Sequence, residues 1–309
     1  MRKKIIFTLN VILILIIIVC LNNILNKNIF VREYEIRNDK IPENFKSYKL
    51  LQITDVHSIR NELQIEKIIE KVKLQKPDLI CVTGDLIDAE YYMNQNDLYK
   101  NKKINEIEEL TLKFMSELTK INTTYYIYGN HEMMLLDDPE NNIFKINLEN
   151  IGVKILNNKV EILEIDGDKI NLIGVQDPAT LYKHEEYAYI DGNNKEKVNV
   201  ILDDLFLELP EESKNNFSIL LSHRPEYFEL YDKYNIDLAL TGHTHGGIVK
   251  LPIIKGIYAH PQGWFPEYSY GMYKTNDFLM IINGGIGYSK LPIRIFNPPE
   301  ICTITLVKE

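Results

Sequence analysis

The sequence predicts an α/β fold in which the strands of a mainly parallel sheet alternate with helices. Apolar runs of β type recur along the chain, and segments of helical period separate the first of them. Near the middle of the chain the apolar period changes to two, as in antiparallel strands. The 309 residues and the hydrophobic content of 45% suffice for one large domain or two modest ones, and they disfavour a disordered or fibrous chain.

Five short apolar runs are predicted to form strands. In chain order they are residues 48–54, 78–83, 124–128, 217–222 and 237–241. Between the first two, Leu63, Ile65, Ile68, Ile69 and Val72 recur at mostly helical spacing. A helix between two strands predicts a β-α-β unit, in which the strands run parallel. The segment KINEIEELTLKFMSEL repeats the helical pattern before the third strand.

The stretch of residues 152–175 follows the two-residue period. Asn157-Asn158 and Asp166-Gly167 are turn sequences within it. This pattern is typical of an antiparallel hairpin or meander and would suit a second sheet. The last third of the chain returns to short strands, which are interrupted by segments rich in Pro and Gly.

The N-terminus differs from the rest of the chain. After the basic sequence MRKK comes the apolar run IIFTLNVILILIIIVCL, whose length is near the lower limit of about 17 to 25 residues for a membrane-spanning helix. We therefore expect a transmembrane anchor at residues 1–25, a stalk at 26–45 and a catalytic domain at 46–309. The lysines predict a cytoplasmic N-terminus and an extracytoplasmic domain in a single-pass protein of the cell membrane. A cleaved signal peptide is the alternative, although no small-x-small cleavage site follows the run.

The charge and the cysteines exclude some classes of partner. The formal net charge is −9, and the first thirty residues contain basic but no acidic side chains, so the rest of the chain is strongly acidic. Such a surface repels bare polyanions, and we expect no nucleic-acid partner. A phosphate-bearing substrate is compatible if metal ions offset the field. The three cysteines are far apart in the sequence, which indicates neither a disulfide framework nor a thiolate metal site.

Each of the five predicted strands ends at residues that can bind a metal ion. In strand order they are Asp55 and His57, Asp85, Asn130 and His131, His223, and His243 and His245. The carboxyl ends of strands border the ligand crevice of open α/β sheets, so we expect these side chains to converge at one edge. A single Asp could cap a helix, and a single His could be a core residue. Five such strands together favour a metal site.

The types of ligand narrow the choice of ion. Carboxylate, imidazole and amide groups without thiolate suit Mn, Fe, Zn or Co, whereas Ca and Mg prefer shells of oxygen alone. The donors are more numerous than one ion usually takes from a protein. Two divalent ions about 3.5 to 4 Å apart that share one carboxylate would use all of them.

The motifs DVH, GDLID, GNHE, SH and GHTHGG, in this order, resemble the signature blocks of the calcineurin-like metallophosphoesterase superfamily. The apolar N-terminus and the ending GGIGYSKLPIRIFNPPEI are similar to the membrane-associated bacterial branch that contains the YkuE and YaeI proteins. The resemblance implies a four-layer α/β/β/α sandwich with a dinuclear metal centre between its sheets.

The resemblance also implies a role for each site residue. Asp55, His57 and His245 would bind the first metal, and Asn130, His223 and His243 the second. Asp85 would bridge the two metals, and His131 would assist the reaction without binding metal. The implied reaction is hydrolysis of a phosphoester by a hydroxide that bridges the metals, with manganese favoured. Asn130, His131 and Arg224 are the candidates for contact with the phosphoryl group.

The substrate prediction depends on the charges near these motifs. The flanking residues are mainly neutral or acidic, with Asp88, Glu132, Asp137 and Asp138 among them. A singly charged phosphodiester meets less repulsion there than a dianionic monoester. The predicted anchor adds the expectation of a lipid or a cell-envelope polymer as substrate. The alternatives are a phosphomonoester, a phosphoprotein, and a non-catalytic interaction module that binds metal.

Three further features have two interpretations each. Asp88 and Glu132 would either orient histidines of the site or cap helices. The aromatic loop with His260, Trp264 and Phe265 would either line the site or pack beneath a long loop.

Overall fold

A computed structural model describes residues 2–89, 98–135, 142–181, 189–190, 194–251, 255–288 and 293–309. Asp137 and Asp138 lie outside this part of the chain. The helices are α1 Arg2–Asn26, α2 Glu62–Gln75, α3 Leu98–Thr119, α4 Asn130–Leu135, α5 Ile143–Asn150, α6 Lys195–Glu208 and α7 Phe228–Tyr231.

The strands belong to two large sheets and several short pairs. They are β1 Phe30–Asn38, β2 Lys49–Ile53, β3 Leu79–Thr83, β4 Thr124–Ile127, β5 Lys154–Ile155, β6 Lys159–Ile165, β7 Asp168–Val175, β8 Thr180–Leu181, β9 Tyr189–Ile190, β10 Ser218–Ser222, β11 Leu238–Thr241, β12 Lys250–Leu251, β13 Lys255–Gly256, β14 Tyr258–Ala259, β15 Gly263–Trp264, β16 Gly271–Lys274, β17 Leu279–Ile282 and β18 Glu300–Lys308.

The first sheet has six strands in the order β1-β18-β2-β3-β4-β5. Strands β2 to β5 are parallel, with α2 between β2 and β3, as the predicted β-α-β unit requires. Helix α2 buries Ile65, Ile68, Ile69 and Val72. Leu63, predicted to share that face, is 58% exposed because it lies in the first turn of the helix.

The second sheet has the order β16-β17-β11-β10-β7-β6. The predicted hairpin is present as β6 and β7, which pair antiparallel around the turn at Asp166-Gly167. Strands β10 and β11 are parallel neighbours in this sheet. The five predicted strands therefore exist but are divided between the sheets, which corrects the expectation of one shared edge. An apolar strand pattern is satisfied by burial in either sheet, so it does not determine which sheet a strand joins.

Three apolar clusters hold these elements together. One lies between the two sheets and combines Cys81 and Ile127 of the first with Leu221 and Leu240 of the second. Another packs α2 and α3 against the first sheet, and a third packs α6 and α7 against the second. The molecule is thus a mixed α/β protein with two sheets.

The N-terminal helix departs from its prediction. Among the residues that the structure describes, no helix combines the length and apolar content needed to cross a membrane. This finding corrects the predicted transmembrane anchor and the single-pass location with an extracytoplasmic domain; the apolar run that suggested them is near the minimum length for a span. The end of α1 contacts the domain, since the Asn22 and Asn26 side chains donate to the carbonyl of Arg294 at 2.8 and 2.7 Å. Strand β1 follows it and pairs with β18 along its whole length.

Candidate metal centre

The candidate site is built from the segments that directly follow β2, β3, β4, β10 and β11. All seven predicted metal ligands lie there, and all are buried. Five of them adopt positive φ angles between 48° and 68°, namely Asp55, His57, Asp85, His243 and His245. Residues with a Cβ rarely adopt this conformation, and it is found where the surrounding structure holds a functional turn in place. These sharp turns direct the side chains of both sheets toward one point.

One group of donors contains Asp55, His57 and His245, whose ligand atoms all lie within 4.8 Å of one another. His57 Nε2 faces His245 Nε2 at 2.9 Å. Asp55 Oδ1 lies 3.4 Å from His245 Nε2 and 3.9 Å from His57 Nε2. The backbone N–H of His243 donates to the Asp55 carboxylate at 3.0 Å, which fixes a loop of the second sheet against the first.

A second group contains Asp85, His223 and His243. His223 Nε2 lies 3.1 Å from Asp85 Oδ2 and 3.2 Å from His243 Nδ1. His223 Nδ1 lies 2.8 Å from the carbonyl of Thr83, to which it donates its proton. Asp85 Oδ2 also lies 3.6 Å from His57 Nε2 of the first group. The Asp85 carboxylate therefore stands between the two groups.

Glu132 holds the loop that carries Asp85. Its fully buried carboxylate accepts hydrogen bonds from the backbone N–H groups of Asp85, Leu86, Ile87 and Gly129 at 2.8 to 3.1 Å. It contacts backbone groups of the loops after β3 and β4, so it neither orients a histidine nor caps only its own helix. Gly129 is needed at this point because a Cβ there would overlap the Asp85 carboxylate.

The protonation states suit ligation. Burial lowers the pKa of His57 to about 3, and it lowers the pKa of His243 and His245 well below the usual range. These rings are therefore neutral, and neutral imidazole is the form that binds metal. Burial also opposes the charged form of His223, but the Asp85 carboxylate outweighs it and raises the pKa of His223 to about 10. A metal bound at His223 must displace that proton.

One buried atom marks a place where a cation would fit. Asn130 Oδ1 has no hydrogen-bond partner within the described part of the chain. An amide oxygen carries lone pairs, and an unpaired buried acceptor is costly unless something electropositive satisfies it. Together with two carboxylates and four imidazoles, it forms a donor set that fits two divalent ions.

His131 lies beside this donor set with a different orientation. Its Nδ1 accepts a hydrogen bond from the backbone N–H of Ala89 at 2.8 Å, so the neutral ring carries its proton on Nε2. That nitrogen lies 3.9 Å from Asp85 Oδ2, and the Asp88 carboxylate lies 3.6 Å from Nδ1. The His131 side chain is 17% exposed, unlike those of the fully buried ligands. His131 can therefore present an N–H donor to a group bound at the centre.

The two arginines nearest the centre are held by protein groups. The guanidinium of Arg224, predicted to contact substrate, donates to Asp177 at 2.6 and 3.2 Å and to Glu226 at 3.2 Å. Arg294 donates to the carbonyls of Gly284 and Gly287 and lies 3.5 Å from His245 Nδ1. Substrate contact by Arg224 stays a prediction. In the structure its guanidinium group is already paired with Asp177 and Glu226.

The aromatic loop approaches the centre at His260. The rings of His260 and His243 have centroids 6.5 Å apart. Trp264 and Phe265 are 72% and 66% exposed, so they do not pack beneath the loop. No spacing in the sequence distinguished His260 from its aromatic neighbours.

Comparisons with known proteins agree with this geometry. Residues 48–247 match the sequence model of the calcineurin-like phosphoesterase family. The chain is 29% identical to the uncharacterized metallophosphoesterase YkuE of Bacillus subtilis, over 89% of this chain and 84% of that protein. It is 30% identical to the uncharacterized metallophosphoesterase Cj0846 of Campylobacter jejuni, over 86% of this chain but only 61% of that longer protein.

Proposed function

The chain belongs to the calcineurin-like phosphoesterase family and is a metal-dependent phosphoric ester hydrolase, and we propose that its substrate is a phosphodiester cleaved at a dinuclear centre. The observation that carries this proposal is the convergence of six carboxylate and imidazole side chains with Asn130, whose buried Oδ1 has no partner in the described residues. In this proposal the catalytic domain is residues 46–309, folded as a four-layer α/β/β/α sandwich.

The side chains divide naturally between two ions. Asp55, His57 and His245 would hold one ion, and Asn130, His223 and His243 the other. Asp85 would contact both because its carboxylate lies between the two groups. Manganese is favoured by the mixture of carboxylate, amide and imidazole donors. When bound, two divalent cations supply a nucleophile from water near neutral pH and positive charge for the phosphoryl oxygens.

The other steps belong to residues of the chain. His131 would donate a hydrogen bond from Nε2 to the leaving oxygen or the phosphoryl group, because the Ala89 N–H fixes the tautomer that carries the proton on Nε2. The Asn130 amide, at the start of α4, would orient the phosphoryl group next to His131. Glu132 keeps Asp85 in place through its backbone contacts.

A phosphodiester is favoured over a monoester by the local charges. A dianionic phosphoryl group usually requires cationic donors at the site in addition to metals. The guanidinium groups of Arg224 and Arg294 already donate to protein oxygens, and the carboxylate of Asp88 lies close to His131. A monoanionic diester needs fewer such donors. The lipid or envelope origin of the substrate stays a prediction from the sequence. Its main argument was the membrane anchor, which the described helices do not support.

The test compares bis(p-nitrophenyl) phosphate with p-nitrophenyl phosphate at equal Mn²⁺ concentration and pH. We expect a higher kcat/KM for the diester and no turnover after removal of metal with a chelator. Both substrates release p-nitrophenol, so the leaving group does not bias the comparison. A clear preference for the monoester would contradict the diester proposal but would leave the metal centre intact. Turnover that resists the chelator would contradict the metal centre itself.

A further inference from the structure

A pocket of about 320 Å³ opens beside the candidate metal centre. His57, one of the proposed ligands, lies in its wall. Other parts of the wall come from the loop after β2, the end of α1, the first turns of α2, and the loop that contains Ile286, Gly287 and Tyr288. The pocket and the centre are therefore neighbours that share the His57 side chain.

The charge of the pocket is opposite to that of the whole chain. Lys27, Arg60 and Lys67 line it, and no Asp or Glu does so among the described residues. In that same part of the chain no ion pair joins any of these three side chains to an acid. Arg224 differs from them, because it is buried against Asp177 and Glu226. Three such cations around one concave surface, in a chain of net charge −9, favour an anionic ligand.

Helix α2 adds to this preference. Asn61, Leu63 and Gln64 lie in the pocket wall, so the first turn of a 14-residue helix borders it. The N-terminal end of a helix carries partial positive charge, which stabilises a nearby anion. This contribution is secondary to the three side-chain charges.

The pocket also has an apolar part. Ile29, Val56, Ile286 and Pro299 line it together with Leu63, whose side chain is 58% exposed. Exposure of a leucine side chain to water is unfavourable, whereas contact with an apolar portion of a ligand would bury it. The lining thus combines cations with an apolar surface, as in many small-molecule sites.

We propose that this pocket is a second anion-binding subsite, which holds a phosphate or carboxylate of the substrate other than the scissile phosphoester, next to an apolar part of the molecule. The inference rests on the proposed function, because it assigns a substrate class to the same centre. Arg60 and Lys67 are its main donors, and Lys27 contributes from the end of α1. The substrate is then a phosphodiester that bears a further anionic group.

Two probes that differ by one phosphate test the subsite. Thymidine 5′-(p-nitrophenyl phosphate) is a diester without a second anion, and its 3′-phosphorylated derivative adds one. With Mn²⁺ present, we expect kcat/KM for the 3′-phosphorylated probe to exceed that for the parent probe by about tenfold, the usual size of one charge-assisted contact. In the Arg60→Gln/Lys67→Gln double variant, the ratio of the two values should fall to about one. Using the ratio cancels any effect common to both probes.

Lys233→Gln/Lys274→Gln is the matched control, since it removes two exposed positive charges outside the pocket lining and should keep the wild-type ratio. A wild-type ratio of one or below, or a ratio that the double variant retains, would overturn the subsite. The calorimetric affinities of thymidine 3′,5′-bisphosphate and thymidine 5′-phosphate provide the same comparison without turnover. Absence of hydrolysis of both probes by the wild type, with the binding difference present, would contradict the proposed function and leave the subsite standing.

Discussion

Two buried polar clusters of this protein show how a ligand site differs from a structural ion cluster. One is the candidate metal centre, and the other surrounds Glu300 at the start of β18. The Glu300 carboxylate accepts hydrogen bonds from Gly284 N–H at 2.9 Å, Tyr270 O–H at 3.1 Å and Arg32 Nε–H at 3.3 Å. Lys250 lies 3.8 Å away with its ammonium over the ring of Tyr270. Each oxygen of this carboxylate is thus matched by a donor.

The metal centre, by contrast, gathers acceptors that protein donors do not fully match. Two carboxylates lie among four imidazoles, three of which burial keeps neutral, and the Asn130 Oδ1 acceptor lacks a partner within the described residues. Burying so many lone pairs together is unfavourable unless cations occupy the space between them. Convergence of unmatched lone pairs, rather than burial of charge, therefore distinguishes the functional cluster from the structural one.

The largest effect is expected at the carboxylate between the two groups. Asp85→Asn should reduce hydrolysis of bis(p-nitrophenyl) phosphate to the background rate and lower the metal content, because the amide removes the charge that both ions share. Metal analysis of the purified variant, together with its rate, checks this. A variant with full metal content and normal turnover would contradict the placement of Asp85.

His131→Ala should separate catalysis from metal binding. We expect the metal content of the wild type but hydrolysis slower by about 10²-fold or more, because only the hydrogen-bond donor to the leaving oxygen is lost. The effect should be greater for substrates with poorer leaving groups, whose leaving oxygens develop more negative charge. If the variant were purified without metal, His131 would belong to the ligand set instead.

Glu300→Gln should give the opposite result. It leaves Lys250 and Arg32 without their carboxylate, and breaking a buried pair of this kind lowers the free energy of unfolding by about 3 kcal/mol. Metal content at temperatures below the unfolding transition should be that of the wild type. Glu33→Gln, an exposed neighbour on β1, is the matched control and should change stability little. Loss of metal without loss of stability in Glu300→Gln would remove the distinction between the two clusters.

A smaller effect concerns pH and the metal-free protein. The pKa of His223 is raised to about 10, above its ordinary value of about 6.5, so its stabilising pairing with Asp85 is complete below about pH 6.5 and is lost as the pH rises toward 10. The melting temperature of the metal-free wild type should fall over this window, and that of His223→Gln should fall less. Equal pH dependence of both proteins would show that His223 is not the charged group.

Much of the centre could be predicted because metal ligands follow directly after apolar strands. Asp55, Asp85 and His223 each stand at a strand end, where a local pattern of burial and a known chain direction suffice. The division of the strands between two sheets could not be predicted, since the apolar pattern of β10 suits either sheet.

Features that depend on distant segments were missed for a related reason. Lys27, Arg60 and Lys67 meet at one pocket only because α1 ends beside α2, and nothing in their spacing indicates this. The four backbone contacts of Glu132 likewise involve loops after two different strands. The prediction for the N-terminal helix was wrong for the opposite reason. Local hydropathy alone suggested a membrane span that the described helices do not support.

In our proposal, two divalent ions at this cluster carry out phosphodiester hydrolysis. Titration of the metal-stripped protein with Mn²⁺, with the hydrolysis of bis(p-nitrophenyl) phosphate followed at each step, tests this role. We predict no activity without metal and a rate that reaches its maximum at two bound ions per chain, as ligands for two ions require. A rate that is maximal at one ion per chain, or that does not depend on metal, would contradict the dinuclear centre.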